Sequence, residues 1–218
     1  MEESRGKPET VYNALREDVA QGRLSPGERL VEKNLMKRFC VSKTPIREAL
    51  SRLKQDGLVE GSPHHSVSVI RVSPNDAVEI YDLREILEGL AAKRTAEKTT
   101  PDKANEMRSI IRHFEKCVKK NDVREYISLD VRFHKTLGAM SGNKRLSDMM
   151  EHLYHQTRIL LKTSLKLPGR GPAVSLTEHK KIVEAIIDED VSLAEQMARE
   201  HIDKTKKAVL NWFNRTQW

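Results

Sequence analysis

Residues 22–60 read GRLSPGERLVEKNLMKRFCVSKTPIREALSRLKQDGLVE, and the punctuation of this stretch sets the fold. Gly22, Pro26 and Gly27 are turn formers. Leu30 to Phe39 reads as a short helix with Leu35 and Phe39 facing inward, and Cys40-Val41 leaves room only for a tight turn. Ser42 then suits the N-cap of a helix running to Gln55, because its hydroxyl can accept from an orphan backbone N–H of the first turn. Ile46, Leu50 and Leu53 repeat at helical spacing and form its inner face, and Asp56-Gly57 ends it.

Upstream, residues 9–21 place Val11, Leu15 and Val19 on one helical stripe. Downstream, Leu58–Glu60 and Val67–Ile70 can pair as a small hairpin around Gly61-Ser62-Pro63-His64-His65-Ser66. Three helices followed by a β-wing describe a winged helix-turn-helix over residues 1–72. In that arrangement the second helix of the pair lies in the major groove and presents its N-terminal residues to base edges. Here those residues are Ser42, Lys43, Thr44 and Arg47; the two hydroxyls suit phosphates or bases, and Lys43 and Arg47 lie four apart on one face, within reach of a guanine edge. Lys33, at the start of the preceding helix, is placed to grip the DNA backbone. Charge agrees: between residues 32 and 54 seven Lys and Arg face only Glu32 and Glu48, in a chain of formal net charge +7. A basic run by itself describes no more than a solvated helix face; its placement on this motif gives it meaning.

The quoted stretch resembles the N-terminal domain of the GntR superfamily of bacterial regulators. The resemblance implies that Lys33, Lys43, Thr44 and Arg47 contact operator DNA. Lysine stands at Lys33 and Lys43 where the family commonly has arginine, which trades a planar fork for a point charge. The wing tip, Pro63 to Ser66, lacks the usual glycine, so His65 is the candidate for a wing contact. A domain this small holds few base contacts, which implies a homodimer on a pseudo-palindromic site of double-stranded DNA.

Beyond Ser73 the 218-residue chain reads as helix throughout. Ser73 can cap, Pro74 suits the first helical position, and Asp76 favours the positive helix end. Helices are expected over about 75–98, 102–119, 122–140, 144–166, 175–188 and 191–214, with Ser175…Glu178 and Ser192…Glu195 as capping boxes for the last two. The fold class is therefore mostly α, with the winged motif followed by an antiparallel bundle of six or seven helices over residues 73–218. Hydrophobic residues make up 38 % and charged residues 33 %, as in a helix-rich soluble protein. Apolar runs are too short to span a bilayer, and the N-terminus has no apolar core of a secretory signal. Two cysteines, Cys40 and Cys117, make neither a disulfide framework nor a cysteine zinc site; a cytoplasmic protein without a membrane partner is expected.

Within the bundle, four polar residues fall on apolar stripes. Asp130 and His134 are one turn apart on a face with Leu137; His179 shares a face with Leu176, Val183 and Ile186; His201 shares one with Ala194, Met197 and Ala198. They are either satisfied core residues or ligands of a divalent metal, and imidazole with carboxylate suits zinc, nickel, iron or manganese. His152, His155 and His113 read as surface or supporting residues. Arg84 lies on the stripe Ala77, Ile80, Arg84, Leu87, Ala91; it either pairs with Glu88 one turn on or anchors an anion. Residues 75–214 resemble the FCD-type effector domain of the FadR branch of the GntR superfamily. That resemblance implies a divalent metal, zinc foremost, on Asp130, His134, His179 and His201, and a small organic acid as effector, with Arg84 on its carboxylate. It implies a repressor whose operator affinity changes on effector binding, through the spacing of the two recognition helices in the dimer. The rival reading is a metal-dependent enzyme acting on a small carboxylate, with an appended DNA-binding module; it lacks an obvious general base. A non-specific, nucleoid-type binder would have no use for a buried His/Asp cluster.

Overall fold

A computed structural model describes residues 6–20, 22–61, 66–164 and 170–216; its side-chain account omits 6, 7, 20, 155, 156, 158–164 and 216. The chain divides into two compact units, Met1–Val72 and Ser73–Trp218.

The first unit holds helices α1 (Gly6–Ala20), α2 (Glu32–Phe39) and α3 (Lys43–Gln55), and strands β1 (Val59–Glu60) and β2 (Ser68–Val69). The helical stripe read from the sequence is its core: Val11, Leu15 and Val19 from α1 meet Leu35, Ile46, Leu50 and Leu53, all buried. Cys40 takes the left-handed conformation (φ 52°) that lets the chain turn sharply between α2 and α3. Ser42 stands at the N-cap of α3 in extended geometry, but its hydroxyl makes no cap hydrogen bond. Phe39 is only half-buried, not part of the core, and lies under the guanidinium of Arg38 at 4.9 Å. Residues 30 and 31 are not helical; the Leu30 N–H instead donates to the Val67 carbonyl at 2.8 Å. β1 and β2 pair antiparallel with Val59 opposite Val69 and Glu60 opposite Ser68, and Arg29 bridges Ser68 from the other side. The tip of this wing, residues 62–65 with His64 and His65, lies outside the described residues.

The second unit is a bundle of α4 (Pro74–Glu97), α5 (Pro101–Lys120), α6 (Val123–Met140), α7 (Lys144–Ser164), α8 (Pro172–Ile187) and α9 (Val191–Thr216). Starts follow local chemistry. Ser73 and Asp76 form a reciprocal capping box with Pro74 at the first position, and Thr100 and Asp122 cap α5 and α6. The two capping boxes expected later are not used. Helix α8 begins three residues early, with Gly171 at the cap and Pro172 first, so Ser175 is buried inside it. At α9 the Asp190 carboxylate, not Ser192, accepts the first-turn N–H of Leu193 at 3.0 Å. In both places a residue already fit to start a helix stands upstream of the serine. Helix α4 packs on α6, α7, α8 and α9, which brings the apolar stripe of α6 (Tyr126, Leu129, Phe133, Leu137) into one core with Phe114, Ile182, Val183, Ile186 and Ala198.

Leu50 is fully buried beneath the exposed face of α3. Leu50→Ala is expected to destabilise the first unit by about 2–5 kcal/mol, read from its urea-unfolding midpoint. A loss below about 1 kcal/mol would show that this core tolerates the cavity.

Candidate functional site

In the first unit, the first turn of α3 puts Ser42, Lys43 and Thr44 on the surface with Arg47 half-buried beside them, while Ile46, Ala49, Leu50 and Leu53 fix the opposite face. Lys33 is exposed at the start of α2. The recognition face therefore gathers Ser42, Lys43, Thr44 and Arg47 on one helical turn; His65 lies outside the described residues. One residue had gone unnoticed as part of this face. The Glu32 carboxylate accepts from Arg47 Nε at 2.9 Å and pairs with Lys43 Nζ at 3.4 Å. Partial burial would raise the Glu32 pKa, but the bond from Arg47 and the charges of Arg47 and Lys43 hold it below the usual carboxylate value.

In the second unit, Asp130, His134, His179 and His201 are all buried and converge from α6, α8 and α9. One nitrogen of each histidine lies within 4.8 Å of the others. Asp130 closes the group: its two carboxylate oxygens stand 3.7 Å from His134 Nε2 and 3.6 Å from His179 Nε2. Four donors around one zinc ion, at about 2.0–2.1 Å each, would be separated by about 3.3–3.4 Å. The two Asp130 contacts are slightly longer than the edges of such a shell and the three imidazole nitrogens are held only within 4.8 Å, so the group is more open than a filled tetrahedron, while its donor types fit a divalent transition metal. Neither nitrogen of His134 or His179 makes a directed hydrogen bond within the described residues. Buried polar atoms without partners are rare, and a bound ion or an ordered water is among the groups that account for them. Burial, with the neighbouring His201, His134 and arginine charges, holds the His179 pKa well below 6.5. Burial also lowers His201, against the opposing pull of Glu178. Both imidazoles are therefore neutral at pH 7, the form that can give a lone pair to a metal.

Four further residues surround this centre. Arg84 Nε donates to Glu88 Oε1 at 2.9 Å and its NH2 group lies 2.8 Å from the same oxygen and 3.1 Å from the Tyr154 hydroxyl. Of the two readings open for Arg84, the ion pair with Glu88 is present. Glu88 Oε2 approaches His134 Nδ1 to 2.5 Å, though the ring is not turned to direct a hydrogen bond. Burial would raise the Glu88 pKa, but the Arg84 and His134 charges drive it far below the carboxylate range. Arg170, just before α8, donates from NH1 to both Glu178 oxygens at 2.7 Å and from NH2 to the Thr205 hydroxyl at 2.6 Å. Glu178 in turn meets His201 Nδ1 at 2.8 Å. Neither Arg170 nor Glu178 stood out in the sequence: Arg170 sits in a Gly/Pro-rich loop, and Glu178 reads as half of a capping box. His113 and His152 are exposed, and the His155 side chain lies outside the described ones.

Known proteins share the two-unit architecture. Residues 7–69 match the gntR family of bacterial regulatory proteins, and residues 79–204 match the FCD domain. The HTH-type transcriptional regulator YdhC of Bacillus subtilis is 31 % identical over 196 residues, covering 88 % of this chain and 86 % of that protein. The HTH-type transcriptional repressor RspR of Escherichia coli is 24 % identical over 199 residues, covering 91 % and 87 %. Among solved structures, E. coli McbR/YncC superposes with a TM-score of 0.81 at 23 % identity, covering 95 % of this chain and 99 % of that one. These relatives are transcriptional regulators, not enzymes. Among the described residues no helix is long and apolar enough to cross a membrane. With a winged helix-turn-helix ahead of an FCD bundle, the chain belongs to the gntR family of bacterial DNA-binding transcriptional regulators.

Proposed function

We propose that the protein is a metal-assisted, ligand-responsive repressor. It acts in the cytoplasm as a homodimer, reads a pseudo-palindromic operator with α3 of each copy, and changes its affinity when a small organic acid binds at a divalent metal in the bundle. The observation that carries this reading is the convergence of three buried imidazoles, within 4.8 Å of one another, beside the Asp130 carboxylate. Zinc is the first choice for such a donor set, with nickel, iron and manganese as alternatives. Repression is favoured by the name of RspR, and dimerisation by the few base contacts one recognition helix can make.

Charge favours an acid as the effector. The Arg84–Glu88 and Arg170–Glu178 pairs each cancel. A divalent ion on Asp130 then leaves one positive charge in a site walled off from water, and a carboxylate at an open metal position neutralises it. Arg84, alongside its bond to Glu88, is assigned to the second oxygen. A thermal-shift screen of small organic acids on metal-loaded protein tests this, because a ligand that binds only the folded state raises the melting point. The shift is expected to shrink in Arg84→Lys, whose ammonium lacks the planar fork. If no organic acid shifts the loaded protein, the effector assignment is wrong.

On DNA, Arg47→Ala should cost about 1–3 kcal/mol of specific binding, confined to one base position. A footprinting titration on the gene's own upstream region reads it, and unchanged affinity removes Arg47 from the reading set.

Elemental analysis after metal loading should find about one ion per chain, and much less in His179→Ala or Asp130→Ala. Acid adds a second check. His179 and His201 have folded pKa values below the ordinary 6.5. Below about pH 6.5 the unfolded chain therefore binds more protons than the folded one, and stability falls as pH drops. The urea midpoint of metal-free protein should decline from pH 7.5 to 5.5, and His179→Gln should flatten that decline. The same slope in wild type and variant would mean that these imidazoles do not titrate as their burial requires.

A further inference from the structure

Each of two imidazoles in the cluster is backed at Nδ1 by a carboxylate that is itself held by an arginine. On one side the series is Arg170, Glu178, His201; on the other it is Arg84, Glu88, His134. Among the described residues the third imidazole, His179, has no such backing. Its ring packs against both Phe133 and Phe114, with centroids at 4.5 and 5.0 Å.

We infer that Glu178, held by Arg170, is a positioning residue that fixes His201 with Nδ1 protonated and Nε2 facing the shared centre, and that Glu88, held by Arg84, does the same for His134. The inference rests on the metal reading above and adds how the site is made ready for the ion. A carboxylate facing a guanidinium at 2.7 Å through both oxygens is ionised and can only accept, so the 2.8 Å contact makes His201 Nδ1 the donor. A neutral imidazole carries one proton, so Nε2 is left with its lone pair for the centre. At Glu88 the two oxygens divide the work: Oε1 takes Arg84 and Oε2 lies 2.5 Å from His134 Nδ1. A slight turn of the His134 ring makes that contact a charge-assisted bond. Metal-bound histidines generally give their second N–H to a carboxylate or carbonyl, which orients the ring and raises its basicity. The arginines are required for the same reason that the glutamates are: an ionised carboxylate this deep needs a partner.

The test uses the full chain and zinc alone as probe, with three readouts. Zinc affinity by competition with a chromophoric chelator should fall about 10–100-fold in Glu178→Gln. That variant also strands the Arg170 charge, so the double variant Glu178→Gln with Arg170→Gln, which removes both charges, is measured beside it. The double variant should stay weak. Affinity restored to the wild-type value would mean that the stranded guanidinium alone repelled the ion, and would overturn the inference. Second, long-range 1H–15N correlation spectra of metal-free protein should show His201 as the Nδ1–H tautomer in wild type and a mixture of tautomers in Glu178→Ala. An unchanged tautomer there would overturn it too. Third, a purely structural role would lower the melting temperature of Glu178→Gln while leaving zinc affinity and the tautomer as in wild type, and that pattern also counts against it. Should wild-type protein bind no zinc, the metal reading itself fails. That result is distinct from wild-type binding that Glu178→Gln leaves intact.

Discussion

A charge buried in an apolar bundle has to be balanced where it sits, and the helical unit is organised around that requirement. Arg84, Glu88, Asp130, Arg170 and three imidazoles lie within a core built mainly of aromatic and aliphatic side chains. Desolvating each ion costs several kcal/mol, and a well-packed apolar replacement is often as stable or more so. Stability therefore does not explain the cluster. The pairing pattern does. Both arginines are matched by a glutamate, and each glutamate also faces an imidazole, while among the described residues the nitrogens of His134 and His179 beside Asp130 are left without a directed partner. The aromatic rings add a second constraint. Phe133 and Phe114 both pack against His179, so its orientation is set by packing density and not by a bond that an ion would have to compete with.

The DNA-binding unit handles charge in the opposite regime. Lys43 and Arg47 meet Glu32 at the surface, where water and salt screen the attraction and each pair is worth about 0–1 kcal/mol at most. Such a contact orients side chains without committing them. The rigidity comes from beneath, from Ile46, Ala49, Leu50 and Leu53, each fully buried. Asp18 contributes from further away. It is buried, and takes Arg23 and Arg38 at 2.5 Å each, so it ties the end of α1 to the last turn of α2. A helix that must fit a groove needs its backbone fixed more firmly than its charged tips, and the two kinds of contact are divided in that way.

What could be read from the sequence follows from how local each signal is. The turn at Cys40, the cap position at Ser42 and the helix start at Ser73-Pro74 are set by residues within one turn of one another, so they were legible; that Asp76 closes a reciprocal box with Ser73 was not read. The stripe on α6 was legible because one face of one helix carries Asp130, His134 and Leu137 together. The arginine partners divide on the same principle. Glu88 is one turn from Arg84 on α4 and was anticipated as its partner, whereas Arg170 reaches Glu178 and Thr205 across separate segments and was not. The misplaced start of α8 has a local origin: Ser175 and Glu178 satisfy a capping pattern, but Gly171-Pro172 start the helix first. The contact of that glutamate with His201 joins α8 to α9, and no spacing rule encodes such a tertiary contact. The links from Glu32 to Lys43 and Arg47, between α2 and α3, were hidden for the same reason.

The position of the cluster on the helices bears on how an effector could be felt. Its histidines, Asp130 and the residues that back them come from α4, α6, α8 and α9, with Arg170 just ahead of α8, so a ligand bound there would meet side chains from four of the six described helices of the bundle. A ligand shifts an equilibrium only by the difference in its affinity for the two states. A coupling of about 1–3 kcal/mol, enough for a roughly 5–150-fold change in operator affinity, is of the size that one charge-assisted hydrogen bond gained or lost can supply. Packed helices respond to such a change in discrete steps because close-packed interiors do not deform continuously. Of the four, α4 is the covalent continuation of the DNA-binding unit, and it carries Arg84 and Glu88. Arg84 and Glu88 are thus the residues of the centre carried by the helix that follows the wing in the chain, and through them that helix is tied to His134 on α6.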